Sequence, residues 1–193
     1  MGSGWFELEH DAYGIPFNTF AERFEKLEAL NIILPMLRGE RPTLHAHYHV
    51  TEAINSPAPV SRIPVMIGGN GEKKTLRMVA QYADEANLTC GPEEIPHKLD
   101  ALAAHCEALG RDRSEITVSK LVMMVIGRTH DEARASVDEF IANHGWPAEV
   151  GELMAPRMVL GGPDEIGEAI RDLVEVGIDG VTLNLAANCT TPS

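Results

Sequence analysis

The chain has 193 residues, of which 44% are hydrophobic, so it is long and apolar enough to bury one sizeable core. Sixteen basic residues against 29 acidic ones give a net charge of −13, which disfavours binding to nucleic acid or to an anionic membrane. No apolar run approaches the ~18 residues of a membrane span, no signal peptide is recognisable, and three cysteines without a CxxC pattern favour a reducing cytoplasm.

The first third of the chain predicts one helix followed by an irregular region. Apolar residues recur at helical spacing over residues 19–37, and Thr19 with Glu22 forms the pattern of a capping box. Pro35 is expected to kink or end this helix early. Residues 38–62 are rich in Pro, His and Ala, and only a short hairpin around residues 45–50 is predicted there.

Three histidines alternate in that hairpin region. His45, His47 and His49 would lie on one face of a strand, and a His-x-His pair can bind zinc. No carboxylate or cysteine of matching spacing accompanies them. The sequence therefore predicts no metal site.

From residue 63 onward, apolar strands alternate with amphipathic helices. The predicted strands are residues 63–69, 84–90, 115–127 and 178–185, and the predicted helices are residues 72–83, 92–110, 129–145 and 162–177. Gly110 and Gly145 are predicted helix ends, Thr129 an N-cap and Pro163 a first-turn residue. Residues 146–160 have a mixed pattern that predicts neither a helix nor a strand. The alternation predicts an α/β fold of parallel βαβ units, and four strands are too few for a closed (β/α)₈ barrel of about 250 residues.

A glycine-rich turn between the first of these strands and its helix is the most informative feature. An apolar run ending at Ile67 enters a turn with Gly68, Gly69 and Gly71, and a helical pattern begins near Glu72. Glycines let backbone N–H groups approach an anion, and a helix N-terminus presents unpaired donors, so a phosphate suits this turn. A tight βα turn without a ligand is the alternative interpretation.

The sequence of this turn resembles a known family. Residues 63–88, IPVMIGGNGEKKTLRMVAQYADEANL, are similar to the fifth strand, fifth helix and sixth strand of luciferase-like oxidoreductases that use coenzyme F-420. Residues 2–17, GSGWFELEHDAYGIPF, resemble the segment after the fourth strand, and residues 105–119 and 161–185 look like the last two βα units. The resemblance implies a partial TIM (β/α)₈ barrel, roughly its second half.

Applied along the chain, the resemblance implies a single domain over residues 1–193. Residues 1–62 would be a loop, a helix and an insertion, and residues 63–185 would be βα units five to eight. Strands one to four of the family have no counterpart. An open half-barrel leaves an unpaired strand edge, so a homo-oligomer is expected.

The resemblance also implies an activity, namely hydride transfer between reduced deazaflavin coenzyme F-420 and an organic small-molecule substrate. An FMN-dependent monooxygenase is one alternative. A catalytically silent fragment, which associates with itself or with a separate N-terminal half, is another. The resemblance does not specify the substrate.

The resemblance further implies the site residues, although no catalytic residue is assigned. The residues implied to meet the cofactor are Gly4, Trp5, Gly68, Gly69, Asn70, Gly71, Lys73 and Thr75. Those at residues 68–71 would donate backbone N–H groups, while Lys73 adds charge and Thr75 a hydroxyl. Trp5 and Cys90 are expected at the substrate, with the alternatives of an interface aromatic and a buried thiol. Asn87 either points into the barrel or is a core amide.

Overall fold

The computed structural model describes residues 1–143 and 158–185. The α-helices are α1 (Glu7–Ala12), α2 (Phe20–Glu25), α3 (Leu30–Leu37), α4 (Thr75–Tyr82), α5 (Ile95–Leu109), α6 (His130–Asn143) and α7 (Pro163–Glu175). Short 3₁₀ turns span Lys26–Ala29, Pro92–Glu94 and Arg113–Glu115. The strands are β1 (Leu44–His45), β2 (His49–Val50), β3 (Met66–Gly68), β4 (Glu85–Leu88), β5 (Thr117–Ile126), β6 (Met158–Gly161) and β7 (Gly180–Asn184).

The strands β3 to β7 form one parallel sheet with the long strand β5 at its centre. Both β4 and β7 pair with Ser119 and Lys120, so they lie on opposite edges of β5. The strand β6 pairs further along β5, from Met123 to Ile126. Parallel strands joined by helices confirm the predicted α/β architecture.

One face of this sheet is covered by helices, as the alternation of burial along the strands shows. Ile67, Ala86 and Val118 are at most 1% exposed and pack in one core cluster with residues of α3, α4, α5 and α7. The alternate residues, such as Glu85 and Asn87, lie on the other side and are half-buried. We call this second side the open face; it carries Met66, Glu85, Asn87, Thr117, Ser119 and Thr182.

Several local signals in the sequence are confirmed. Thr19 and Glu22 form both halves of a capping box at the start of α2. Gly110 follows α5 in the left-handed conformation, with φ of 65°. The hydroxyl of Thr129 accepts the N–H of Glu132 at 3.2 Å, and Pro163 opens α7. The predicted stop at residue 145 lies outside the described residues.

The helix predicted over residues 19–37 is not continuous. It is broken by the 3₁₀ turn at Lys26–Ala29, and α3 then passes through Pro35 and ends at Leu37. The buried side chains of Leu30 and Leu34 hold this last helix against the core, and such packing outweighs the local preference of a proline.

The prediction that three histidines share one face of a strand is wrong. His45 and His49 face each other across the β1–β2 hairpin, with ring centroids 6.0 Å apart. His47 lies in the connecting turn, where its ring packs on Tyr48 with the centroids 4.9 Å apart. Strand alternation does not apply because a turn interrupts the strand. Among the described residues, no group of three His, Cys, Asp or Glu could hold a metal ion.

Two short elements were not predicted. The helix α1 has no buried residue, so no apolar stripe marks it. The strand β6 has only four residues and falls at the end of the region that the sequence left mixed. The helix α4 begins at Thr75 instead of Glu72, because residues 72–74 form a turn.

Candidate phosphate site at the glycine turn

The glycine turn, which we define as residues 68–75, connects β3 to α4 at the carboxyl end of the parallel sheet. Ligands of barrels and of open α/β folds gather at this end of the strands. The turn opens onto the N-terminus of α4, which has no side-chain cap. The N–H of Leu76 in the first turn donates to Gly71 O at 3.0 Å, and the helix dipole favours an anion at this end.

Two glycines in the turn have no room for a side chain. Gly69 has φ of 134°, and a Cβ there would lie 3.2 Å from Cγ2 of Thr75. A Cβ on Gly71 would lie 2.9 Å from Oγ1 of the same threonine, which is itself buried. The backbone therefore passes bare and close over the Thr75 hydroxyl, as a cradle for a small anion requires.

The end of β4 holds the turn from one side. The N–H of Gly69 donates to the carbonyl of Asn87 at 3.0 Å. The side chain of Asn70 accepts the N–H of Thr89 at 2.8 Å and donates to its hydroxyl at 2.7 Å. Both ends of the Asn70 amide are therefore engaged, and only its backbone N–H is left to meet a ligand. Thr89 is a site residue that sequence reasoning missed.

The helix α5 holds the turn from another side through Glu72. Lys98 Nζ lies 2.6 Å from one carboxylate oxygen of Glu72, and His97 Nε2 lies 3.2 Å from the other. His105 Nε2 donates to the backbone carbonyl of Glu72 at 2.8 Å. The hydrogen bond from Lys98 lowers the pKa of Glu72, and the same bond raises the pKa of Lys98.

The basic residues of the turn differ in their surroundings. Lys73 is exposed, whereas Lys74 Nζ lies 5.6 Å from the ring centroid of Phe24 on α2. With Arg77 they line a groove of about 280 Å³ between α2 and α4. Glu25 and Glu28 line the same groove, so basic and acidic side chains are mixed beside the turn.

The first two residues of the chain lie beside the strand β3 that leads into the glycine turn. The terminal ammonium of Met1 donates to Met66 O, and the N–H of Gly68 donates to Met1 O at 2.9 Å. Gly4 has φ of 75°, and a Cβ there would lie 2.9 Å from the ring of His10. Trp5 is 81% exposed and touches Phe6, so its ring is available to a ligand or a partner.

A polar cluster occupies the open face near the same end of the sheet. Asn87 donates from Nδ2 to Ser119 Oγ at 2.8 Å and to Thr182 Oγ1 at 3.3 Å. The sequence left two alternatives for Asn87, namely a side chain that points into the barrel and a core amide bonded to its neighbours. The structure has features of both, since Asn87 lies on the open face and its amide is bonded to neighbours. A ligand on this face would meet these hydroxyls and the amide.

Cys90 lies in a different environment from Trp5. It is 6% exposed and belongs to the core cluster, and its carbonyl accepts a hydrogen bond from Lys120 Nζ at 2.6 Å. Burial raises the pKa of the Cys90 thiol and lowers the pKa of Lys120. Trp5 is exposed whereas Cys90 is buried, so the two residues expected at the substrate lie in different surroundings, and their roles stay predictions.

Another cavity among the described residues, of about 650 Å³, lies at the opposite, amino end of β3 and β4. Two of the three arginines that line it are bonded within the protein. Arg62 pairs with Asp84, and Arg111 lies 3.2 Å from Glu115 and donates to the carbonyl of Ala80 at 3.0 Å. The amino end of barrel strands generally serves stability, so we place the candidate site at the glycine turn.

Comparison with known proteins identifies the family. Residues 1–180 match the profile of the luciferase-like monooxygenases. The chain belongs to this family. A sequence comparison with curated proteins gives no significant match. Within residues 1–143 and 158–185, no helix is long and apolar enough to cross a bilayer.

Solved structures of the same architecture extend this result. An F-420-dependent secondary alcohol dehydrogenase, in complex with an F-420–acetone adduct, has a TM-score of 0.79 at 15% identity, over 96% of this chain and 62% of its own. An F-420-dependent tetrahydromethanopterin reductase from Methanopyrus kandleri has a TM-score of 0.70 at 18% identity, over 95% and 66%. A riboflavin lyase with modified FMN has a TM-score of 0.70 at 16% identity, over 95% and 57%.

The chain therefore spans about 57–66% of the length of these structures. At such identities the likeness shows the fold. The predicted partial TIM barrel of the luciferase-like type is confirmed by this match and by the parallel sheet of the described residues.

Proposed function

We propose that the glycine turn binds the phosphate of a flavin-like cofactor, and that this cofactor is coenzyme F-420, with FMN as the alternative. We further propose that the protein acts in hydride transfer between the reduced deazaflavin and an organic small-molecule substrate. The observation that carries the proposal is the bare backbone of Gly69 and Gly71 over the Thr75 hydroxyl, held from both β4 and α5.

The residues of the turn suit a phosphate group. Of the four backbone N–H groups expected to donate, those of Gly68 and Gly69 are bonded to Met1 O and Asn87 O instead. The proposal therefore assigns the phosphate to the N–H groups of Asn70 and Gly71, with the Thr75 hydroxyl as a further donor. The exposed ammonium of Lys73 supplies charge nearby. These effects act within a few ångströms, so the net charge of −13 does not prevent them.

The choice between F-420 and FMN rests on resemblance. Residues 71–77, GEKKTLR, resemble the deazaflavin-using members of the family, and two of the similar structures are F-420-dependent enzymes. The riboflavin lyase structure, with its modified FMN, supports FMN as the alternative. Both cofactors carry a phosphate group, so the turn suits either.

When bound, the ring of such a cofactor supplies the carbon or nitrogen that donates or accepts the hydride. This chain's contribution would be binding, orientation and exclusion of water. Trp5 offers an exposed apolar wall, and Asn87 with Ser119 and Thr182 offers amide and hydroxyl groups on the open face. Cys90 is expected to stay a neutral thiol, since burial raises its pKa.

We also propose that the chain associates with a second copy or with complementary strands. Within the described residues, the outer edge of β3 pairs only with Met1, and the open face leaves Met66 36% exposed. Unpaired strand edges and exposed apolar surface favour association. A catalytically silent, self-associating protein remains the alternative function, which a binding measurement separates from the first.

The proposal is tested by titrating the full chain with F-420 and, separately, with FMN, while the fluorescence of the added cofactor is recorded. Saturable quenching at a stoichiometry of one per chain supports a cofactor-binding protein, and the tighter of the two ligands identifies the cofactor class. The absence of saturable binding of both at high micromolar concentrations would reject the proposal in favour of the silent alternative.

A further inference from the structure

The helix α5 carries three basic side chains that converge on one residue of the glycine turn. Lys98 Nζ lies 2.6 Å from Glu72 Oε1 and 3.4 Å from Glu94 Oε2. His97 Nε2 lies 3.2 Å from Glu72 Oε2, and His105 Nε2 donates to the Glu72 carbonyl at 2.8 Å. Both the side chain and the backbone of Glu72 are thus fixed to α5.

We propose that Lys98 is a positioning residue, which acts through Glu72 to hold the glycine turn in the conformation that receives the cofactor phosphate. This inference rests on the proposed phosphate role of the turn. Lys98 itself does not meet the ligand. His105 assists it by fixing the peptide group that follows Glu72.

The burial of Lys98 favours a persistent contact between this residue and Glu72. The residue is 8% exposed, unlike Lys73 and Lys74, which are exposed. The side chain of Lys98 is 10% exposed, while its partners Glu72 and Glu94 are 36% and 50% exposed, so the ion pair itself is partly screened by solvent. The buried stem of Lys98 limits the positions that its ammonium can reach, and both carboxylates lie within that range.

The location of Glu72 explains why its contact with Lys98 restrains the backbone of the glycine turn. Glu72 directly follows Gly71, which has no side chain of its own to restrict the backbone. The bond to its carbonyl fixes the peptide group that follows Glu72, the bonds to its carboxylate hold its side chain, and the Asn70–Thr89 pair fixes the other end of the turn. A turn that is restrained at both ends loses little conformational entropy when the anion binds. This smaller entropic cost increases the affinity.

General packing of α4 on α5 does not depend on this contact. Leu76 and Val79 of α4, with Ile95 and Leu102 of α5, are at most 1% exposed and lie in the same core cluster. Removing the Lys98 charge should therefore loosen the turn and leave the two helices packed. This separates a positioning role from a merely structural one.

The experiment compares Lys98→Met, Glu72→Gln, the double variant and Lys98→Arg with the wild-type chain. Arg62→Gln is the matched control, because it removes another cationic partner of a carboxylate, Asp84, at the amino end of the sheet. Two quantities are measured, namely the affinities for F-420 and FMN, and amide hydrogen exchange over residues 69–75 in the absence of any cofactor.

We expect Lys98→Met to weaken cofactor binding about tenfold and to speed exchange at residues 69–75, with exchange in β5 and α6 unchanged. The double variant should bind no more weakly than Lys98→Met alone, since the two residues act as a pair. Lys98→Arg should restore most of the affinity, and Arg62→Gln should match the wild type.

Wild-type affinity and a protected turn in Lys98→Met would overturn the inference, as would additive effects in the double variant. If the wild-type chain binds neither cofactor, the phosphate proposal fails. The exchange measurement then still decides whether α5 restrains the turn.

Discussion

Alanine at position 69 tests the special conformation of the glycine turn. Gly69 has φ of 134°, a region that residues with a Cβ rarely adopt, and holding alanine there costs roughly 1–3 kcal/mol. The new Cβ would also lie 3.2 Å from Thr75 Cγ2, tighter than an ordinary contact. We therefore expect Gly69→Ala to lower the free energy of unfolding by about 2 kcal/mol, or Tm by about 4–8 °C.

The same substitution should cost affinity, because the chain can relieve the strain only by turning the Gly69 peptide away from its bond to the Asn87 carbonyl. Loss of one hydrogen bond to the charged phosphate, worth about 1.5–3 kcal/mol, would weaken binding roughly 10- to 150-fold. Gly71→Val should abolish cofactor binding and leave α4 intact, since its Cβ would lie 2.9 Å from Thr75 Oγ1.

Thermal unfolding and cofactor titration of each variant provide the assay. Gly39→Ala is the control, because Gly39 has φ of 80° and a Cβ there would have no neighbouring atom within 4 Å, so it reproduces backbone strain away from the site. It should lose about 1–2 kcal/mol of stability and no affinity. Unchanged affinity in both Gly69→Ala and Gly71→Val would refute the reasoning about the turn.

Four further predictions concern the core, the buried thiol of Cys90, the assembly of the chain and its turnover. Leu76→Ala should cost about 2.5–5 kcal/mol in denaturant unfolding, since Leu76 is fully buried, and a cost below about 1 kcal/mol would contradict the core assignment. Cys90 should react slowly with a thiol reagent at about pH 8 in the folded protein, because its raised pKa leaves little thiolate, whereas reaction as fast as in the unfolded chain would be evidence against its burial. Light scattering should show a dimer or larger species, and a stable monomer would contradict the half-barrel reasoning. Stopped-flow measurement should show only weak deazaflavin oxidation by the chain alone, and full turnover would contradict the same reasoning.

The elements that follow from local chemistry were predictable from the sequence. The strands around Ile67 and Val118 are short apolar runs, and such runs mark strands that helices cover. The capping box at Thr19 and the glycine stop at Gly110 are signals contained within a few residues. They appear in the structure where the sequence indicated them.

The errors arise where distant residues decide local structure. Glu72 belongs to a helical pattern in sequence, yet its side chain and carbonyl bond to α5, and α4 begins at Thr75 instead. His47 alternates with its neighbours, but a turn removes it from the strand. The periodicity of apolar residues in the sequence does not indicate contacts between residues that are far apart in the chain.

The candidate site was predictable in outline. The glycines and Thr75 carry a recognisable pattern, and the structure brings Met1 and Gly2 beside Gly68 at the start of the turn. The partners that hold the turn, Thr89 and Lys98, are separated from Asn70 and Glu72 by 19 and 26 residues, so no local pattern indicates their role. The assigned roles of Trp5 and Cys90 stay predictions.

The claim that the glycine turn binds a phosphate is tested most directly by comparing each cofactor with its phosphate-free form. FMN would be titrated against riboflavin, and F-420 against the same deazaflavin without its phosphate, at low and at high salt. We predict that the phosphate strengthens binding at least about tenfold, that salt weakens this gain, and that Gly71→Val removes it. Equal affinity with and without the phosphate would contradict the assignment of the turn as a phosphate site.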